Sequence, residues 1–232
     1  MIRVRRAHER GQADHGWLRS QHTFSFADYR DANQMGFRSL RVMNDDRVAP
    51  GEGFGSHPHR DMEILSYVLE GRLEHRDSLG NGAVIGPGEF QRITAGSGIN
   101  HSEFNPSDAE PVHFYQVWIK PRERGLPPSY EELSLADAPT DRLMLAASPD
   151  GRDGSLTIQQ DAEVWLGRLA SGVSVEHPPE PGRGVWVQVL GGSARIAGET
   201  LSTGDGVALE DETTVTIRAA GAGVDLLLFD LP

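Results

Sequence analysis

Two short runs carry metal-ligating side chains at strand spacing: His57-Pro58-His59 and, further along, His101-Ser102-Glu103. In an extended chain residues i and i+2 point to the same face, so each triplet presents two ligands on one side of its strand. Two such strands facing each other make a four-ligand site of three imidazoles and one carboxylate. That set suits iron(II), Mn, Co, Ni, Cu or Zn, whereas Mg or Ca would ask for an all-oxygen cage. The chain has no cysteine, which excludes a disulfide scaffold, thiolate ligands and a cysteine nucleophile. Four protein ligands on a metal that accepts six leave two positions for a substrate oxygen and for dioxygen or water, the arrangement that oxygen chemistry needs.

Strands must hold these residues, and the sequence is rich in strand signals. Ile64-Leu65-Ser66-Tyr67-Val68-Leu69, Phe114-Tyr115-Gln116-Val117-Trp118-Ile119 and Val185-Trp186-Val187-Gln188-Val189-Leu190 are short apolar runs. Turn clusters such as Asp77-Ser78-Leu79-Gly80-Asn81-Gly82 and Gly86-Pro87-Gly88 separate such runs, and helical periodicity is scarce. With 27 glycines and 14 prolines in 232 residues, a mostly β chain is expected. Gly51, Gly53 and Gly55 precede the first ligand pair and Gly96 and Gly98 the second, so each ligand strand begins at a crowded turn.

A repeat is visible. Tyr67-Val68-Leu69-Glu70-Gly71 matches Gln188-Val189-Leu190-Gly191-Gly192, shifted by 121, and Ile85-Gly86-Pro87-Gly88-Glu89 matches Leu201-Ser202-Thr203-Gly204-Asp205, shifted by 116. Two tandem β-barrels follow, with the linker in the proline-bearing stretch from Pro121 to Pro139 and domains at 1–130 and 131–232. The charge balance changes at the same place: 16 basic and 17 acidic residues before it, 6 and 17 after. Positions shifted by about 120 from His57 and His59 hold His177 and Pro179, and Thr216-Ile217-Arg218-Ala219 stands opposite the second motif, so one metal per chain is expected. The C-terminal half is then a structural barrel. His8, His15, His75 and His113 are read as local hydrogen-bonding residues.

The net charge of −12 argues against a duplex DNA reader and against an anionic membrane surface. No apolar segment follows Met1-Ile2-Arg3-Val4-Arg5-Arg6, and none approaches the roughly 20 residues that span a bilayer. A soluble cytoplasmic protein is expected.

Gly53-Phe54-Gly55-Ser56-His57-Pro58-His59-Arg60-Asp61-Met62-Glu63, followed by Thr94-Ala95-Gly96-Ser97-Gly98-Ile99-Asn100-His101-Ser102-Glu103, resembles the pirin family of bicupins and its bacterial quercetinase-like branch. His15-Gly16-Trp17-Leu18, His22-Thr23-Phe24-Ser25-Phe26 and Tyr115-Gln116-Val117-Trp118 are similar to that branch, so the likeness spans nearly the whole chain. The resemblance implies an all-β bicupin of two antiparallel jelly-roll barrels. It implies His57, His59, His101 and Glu103 as ligands of one divalent metal, iron(II) first, with Ni, Co, Mn, Cu or Zn also compatible.

In the general cupin pattern the carboxylate comes from the first motif, where Glu63 lies four positions after His59. Glu63 is thus the rival fourth ligand. Its parity with His57 and His59 turns it inward if the strand is regular, and it is placed in the pocket with Phe54 and Gln116 as substrate-binding residues. The activity implied is that of quercetin 2,3-dioxygenase, which opens the central ring of a flavonol with dioxygen and releases carbon monoxide, with Glu103 as catalytic base. The alternative is a pirin-like metal or redox sensor that binds a protein partner as a transcriptional co-regulator. A monomer is the default in either case.

Overall fold

Apolar residues on both parities of Glu63–Glu70 and Val112–Ile119 call for strands covered on both faces, and nearly all of both runs is buried. The computed structural model describes all 232 residues, which form twenty strands and two short 3-10 turns, Ala7–Glu9 and Arg152–Gly154. In chain order the strands are β1 (Ile2–Arg5), β2 (Gly11–Asp14), β3 (Leu18–His22), β4 (Leu40–Val48), β5 (Gly53–His59), β6 (Glu63–Glu70), β7 (Leu73–Asp77), β8 (Gly82–Ile85), β9 (Glu89–Thr94), β10 (Ile99–Phe104), β11 (Val112–Ile119) and β12 (Ser129–Ser134). They continue as β13 (Leu143–Ser148), β14 (Leu156–Thr157), β15 (Glu163–Ala170), β16 (Ser174–His177), β17 (Gly184–Ile196), β18 (Glu199–Ser202), β19 (Gly206–Glu210) and β20 (Val215–Leu231). No helix is long and apolar enough to cross a membrane.

The chain divides into two compact units, Gly11–Asp137 with Leu156–Gln160, and Met1–Arg10 with Ala138–Ser155 and Asp161–Pro232. The first holds two antiparallel sheets, one in the order β5-β10-β7-β8 and one in the order β12-β9-β6-β11-β4-β3-β2. Leu18, Val48, Val68, Val112 and Phe114 of the larger sheet meet Leu73 and Ile85 of the smaller in one buried cluster. Each such side chain contributes about 1.5–3 kcal/mol relative to exposure, which holds the two sheets face to face. Strand pairing leaves both sheets open, so the unit is a pair of facing sheets rather than one closed ring of strands.

Ser129–Ser134, within the stretch read as linker, is strand β12, paired with β9 from Ser129↔Thr94 to Ser134↔Glu89. The proline run that suggests a linker ends at Pro128, and the residues after it are free to donate to a ladder. Glu131 and Glu132 keep this edge strand charged, which discourages further pairing.

In the second unit β1, β19, β17, β20, β15 and β13 lie side by side, with β16 on β20 and β18 on β17. Val187, Leu201, Ile217, Leu226 and Leu228 belong to its core. The repeat read from the sequence is present at atomic level in both units. Gly88 donates its N–H to Val68 O at 2.9 Å, and Gly204 donates to Val189 O at 2.9 Å. Glu89 accepts from the N–H of Gly86 at 2.7 Å, and Asp205 from the N–H of Ser202 at 3.1 Å. Both glycines are left-handed, at φ of 82° and 85°, a conformation that favours glycine.

Candidate metal centre

The two ligand motifs are neighbours because β5 and β10 pair antiparallel, with His101 opposite His57 and Ile99 opposite His59. A register shift between His101 and Glu103 then sets Glu103 opposite Phe54. Gly53 permits this approach: a Cβ there would stand 2.3 Å from Glu103 O and 2.6 Å from Phe104 Cα. Gly96, at φ 47°, makes the turn into β10 where a Cβ would meet Leu126 O at 2.0 Å.

One ring nitrogen from each of His57, His59 and His101 lies within 4.8 Å of the others. The His57 Nδ1–H donates to Gly55 O at 2.7 Å, which leaves the lone pair of Nε2 free to bind a metal. His101 Nδ1 faces His75 Nδ1 at 3.5 Å, and His101 Nε2 is buried without a partner. A buried, unpaired imidazole nitrogen aimed at two other imidazoles is what a metal ion would satisfy, so these residues fit a divalent transition metal. Burial first and the neighbouring His57 second push the His59 pKa down to about 4. Burial, then His57 and His59, push that of His101 down to about 3. Both rings are therefore neutral near pH 7, the state that binds metal.

Glu103 is buried beside this triangle. Its Oε1 accepts from Gln91 Nε2 at 2.6 Å and from Ser66 Oγ at 3.2 Å, and its Oε2 accepts from Gln116 Nε2 at 2.8 Å. Burial raises its pKa, against the pull of nearby histidines and these hydrogen bonds. The donors belong to a polar row running straight across five strands of the larger sheet. His22 stands opposite Asn44, Asn44 opposite Gln116, Gln116 opposite Ser66, and Ser66 opposite Gln91. All five are buried, and Ser20 and Asp46, paired with each other two residues along the same strands, add two more buried polar groups to this inner face.

A cavity of about 1030 Å³ opens over the site, at the upper end of the range for drug-sized ligands. Trp17, Phe54, Phe26, Tyr29 and Trp118 wall it together with His57, His59, Glu103 and Gln116. Trp17 and Phe54 meet edge to face with centroids 5.2 Å apart, and Trp118 stands between His59 at 4.9 Å and Phe26 at 5.4 Å. Asp46 also lines it, beside Ser20.

Of the seven predicted site residues, the structure brings six together, His57, His59, His101, Glu103, Phe54 and Gln116, and Trp118 joins them in the cavity wall. Glu63 is the exception. It opens β6 after a turn in which Asp61 has φ 51°, so its parity with His57 and His59 does not carry over. It lies on the face of the larger sheet opposite Ser66, where its Oε2 accepts from Thr94 Oγ1 at 2.9 Å and from the Gln159 N–H at 3.2 Å. His75, read as a local hydrogen-bonding residue, sits behind His101 and stacks on Tyr130 at 4.4 Å. His75-Arg76-Asp77 repeats the i, i+2 spacing of the ligand motifs, the signal that singles it out. Ser66 and Gln91 carry no such signal, since only the strand register places them. His177, in the second unit, pairs its Nε2 with Asp230 Oδ2 at 2.6 Å.

Residues 2–119 match the family model described as Pirin, and residues 145–231 match that of the quercetinase C-terminal cupin domain. The chain is 51% identical over 232 residues to quercetin 2,3-dioxygenase of Escherichia coli (strain K12), covering 100% of this chain and 99% of that protein. Among solved structures, the bacterial pirin YhhW from Escherichia coli in complex with nickel(II) matches with a TM-score of 0.96 at 51% identity, covering 100% of this chain and 99% of that one. YhaK from Escherichia coli matches with a TM-score of 0.76 at 32% identity, covering 96% and 98%.

Proposed function

The chain belongs to the pirin family, and on that premise we propose that it is a metal-dependent dioxygenase of the quercetin 2,3-dioxygenase type, opening the central ring of a flavonol with dioxygen and releasing carbon monoxide. The observation that carries this reading is the three-imidazole cluster at an aromatic-walled cavity, with the buried Glu103 beside it. The nickel(II) complex of the Escherichia coli relative supports a divalent metal, and iron(II) fits the same ligand set.

His57, His59 and His101 would hold the metal, with Glu103 as the fourth ligand. When bound, the metal supplies a Lewis-acidic position that lowers the pKa of the flavonol 3-hydroxyl. Glu103 would accept that proton at Oε2 from a position detached from the metal, because Oε1 already takes two hydrogen bonds and Oε2, which takes one, has a single site left for either metal or proton. Gln91, Ser66 and Gln116 hold the carboxylate in place for the transfer. Trp17, Phe54, Phe26 and Trp118 offer flat apolar surfaces to the flavonol rings and exclude water from the reacting centre. On this reading the protein acts on a small aromatic molecule as a cytoplasmic monomer.

Dioxygen uptake with quercetin tests the proposal on nickel-loaded and iron-loaded protein, wild type beside Glu103→Gln. Metal-dependent uptake with carbon monoxide release is expected. The variant should retain bound metal and lose about 10²–10⁴-fold in kcat, the span of general base catalysis. Metal-loaded wild type that consumes no dioxygen would overturn the dioxygenase reading in favour of partner binding. Full activity in Glu103→Gln would remove the base.

A further inference from the structure

His75 and Asp77 lie outside the ligand set, yet their side chains are fully buried and their hydrogen bonds run in one direction toward it. Asp77 Oδ1 accepts from the N–H groups of Leu79 at 2.9 Å and Asn81 at 3.0 Å. Its Oδ2 accepts from Asn81 Nδ2 at 2.9 Å and faces His75 Nε2 at 3.0 Å. A carboxylate so held is an acceptor, so the proton between it and His75 belongs to Nε2 of the ring. In a neutral imidazole Nδ1 is then a lone pair, and that atom faces His101 Nδ1 at 3.5 Å. His101 must supply the proton, and its own lone pair is thereby placed on Nε2, the buried atom without a partner.

The arrangement comes from strand pairing. Strand β10 lies between β5 and β7, with His101 opposite Asp77 and Glu103 opposite His75. One neighbouring strand supplies the other ligands, and the second supplies the pair that orients this one. Tyr130 stacks on His75 at 4.4 Å and 9°, which fixes the ring plane. Its hydroxyl donates to Gln91 Oε1 at 3.2 Å, turning Gln91 Nε2 toward Glu103.

We propose that His75, anchored by Asp77, is a positioning residue that selects the Nε2-ligating tautomer of His101 and so sets the affinity of the site for its metal. This rests on the metal reading above but not on dioxygenase activity. Outer groups of this kind typically change metal affinity by about 10–100-fold.

Two substitutions separate this role from packing. His75→Phe keeps a flat ring against Tyr130 and removes the acceptor. His75→Gln loses the stack and restores an acceptor toward His101 and a donor toward Asp77. Nickel titration by calorimetry should show about 10–100-fold weaker binding in His75→Phe and affinity near that of wild type in His75→Gln. The reverse order would establish a packing role and overturn the proposal. A second measurement needs no variant: proton NMR of the cobalt(II)-loaded wild type should show a hyperfine-shifted, slowly exchanging ligand N–H with a cross-relaxation contact to His75. Absence of that signal in cobalt-loaded protein would overturn the proposal and leave the metal reading standing, whereas wild type that binds neither metal would overturn both.

Discussion

Asp46 is buried in the wall of the cavity with its Oδ1 unpaired. Burial, more than the neighbouring Asp45 and Glu103, pushes its pKa up to about 7 against a hydrogen bond from Ser20. The folded protein therefore binds a proton at Asp46 that the unfolded chain, with an ordinary carboxyl near 3.8, has already released. The associated stability is complete below about pH 4 and is lost as pH rises through 7, a change on the order of 4 kcal/mol at about 1.4 kcal/mol per pH unit. Asp46→Asn keeps the shape without the titration. Urea unfolding at pH 4 and pH 8 should show the variant gaining on wild type at the higher pH, and an equal difference at both would refute the buried acid. His59 and His101 have the opposite sign: lowered in the folded state, they weaken the metal-free protein as pH falls below 6.5. Residue types at i, i+2 spacing pointed to the histidine cluster, whereas Asp46 reads in the sequence only as half of the acidic pair Asp45-Asp46.

Each ligand strand depends on how closely its neighbours approach. Gly53→Ala would drive a methyl group into Glu103 O and Phe104 Cα, both backbone atoms that cannot yield without moving β10. The substitution should cost about 1–3 kcal/mol, the range for overpacking, and weaken nickel binding by separating His57 from His101. Gly55→Ala, two residues along the same strand, meets nothing within 4 Å and serves as the control. Equal stability and equal nickel affinity in the two variants would show that the β5–β10 spacing does not set the site. The i, i+2 spacing made these strands legible, because a strand puts alternate residues on one face whatever surrounds it. It misled at Glu63, since alternation is a property of one uninterrupted strand and the turn at Asp61 resets it. Likewise the strand Ser129–Ser134 was hidden by the prolines before it and by a composition that suits an edge.

For the molecule as a whole, metal binding should appear as stability. At nickel concentrations about a hundredfold above Kd, a ligand that binds only the folded state adds about 2.7 kcal/mol. Thermal unfolding across a nickel titration should show this in wild type and not in His101→Ala. An equal gain in the variant would place the bound nickel elsewhere. The tandem repeat was legible because each copy needs the same left-handed glycine corner, Gly88 and Gly204, closed by the acidic residue that follows. Residue chemistry and local periodicity, both carried by neighbours along the chain, sufficed for the β class, the repeat and the three histidines. Which residues face those histidines was decided only by strand register. Ser66, Gln91 and Gln116 meet Glu103 from three strands of the larger sheet, and Asp77 and His75 reach His101 from the far side of β10. Those contacts join positions far apart in sequence, and no local pattern encodes a pairing that exists only once the two sheets have closed on their common core.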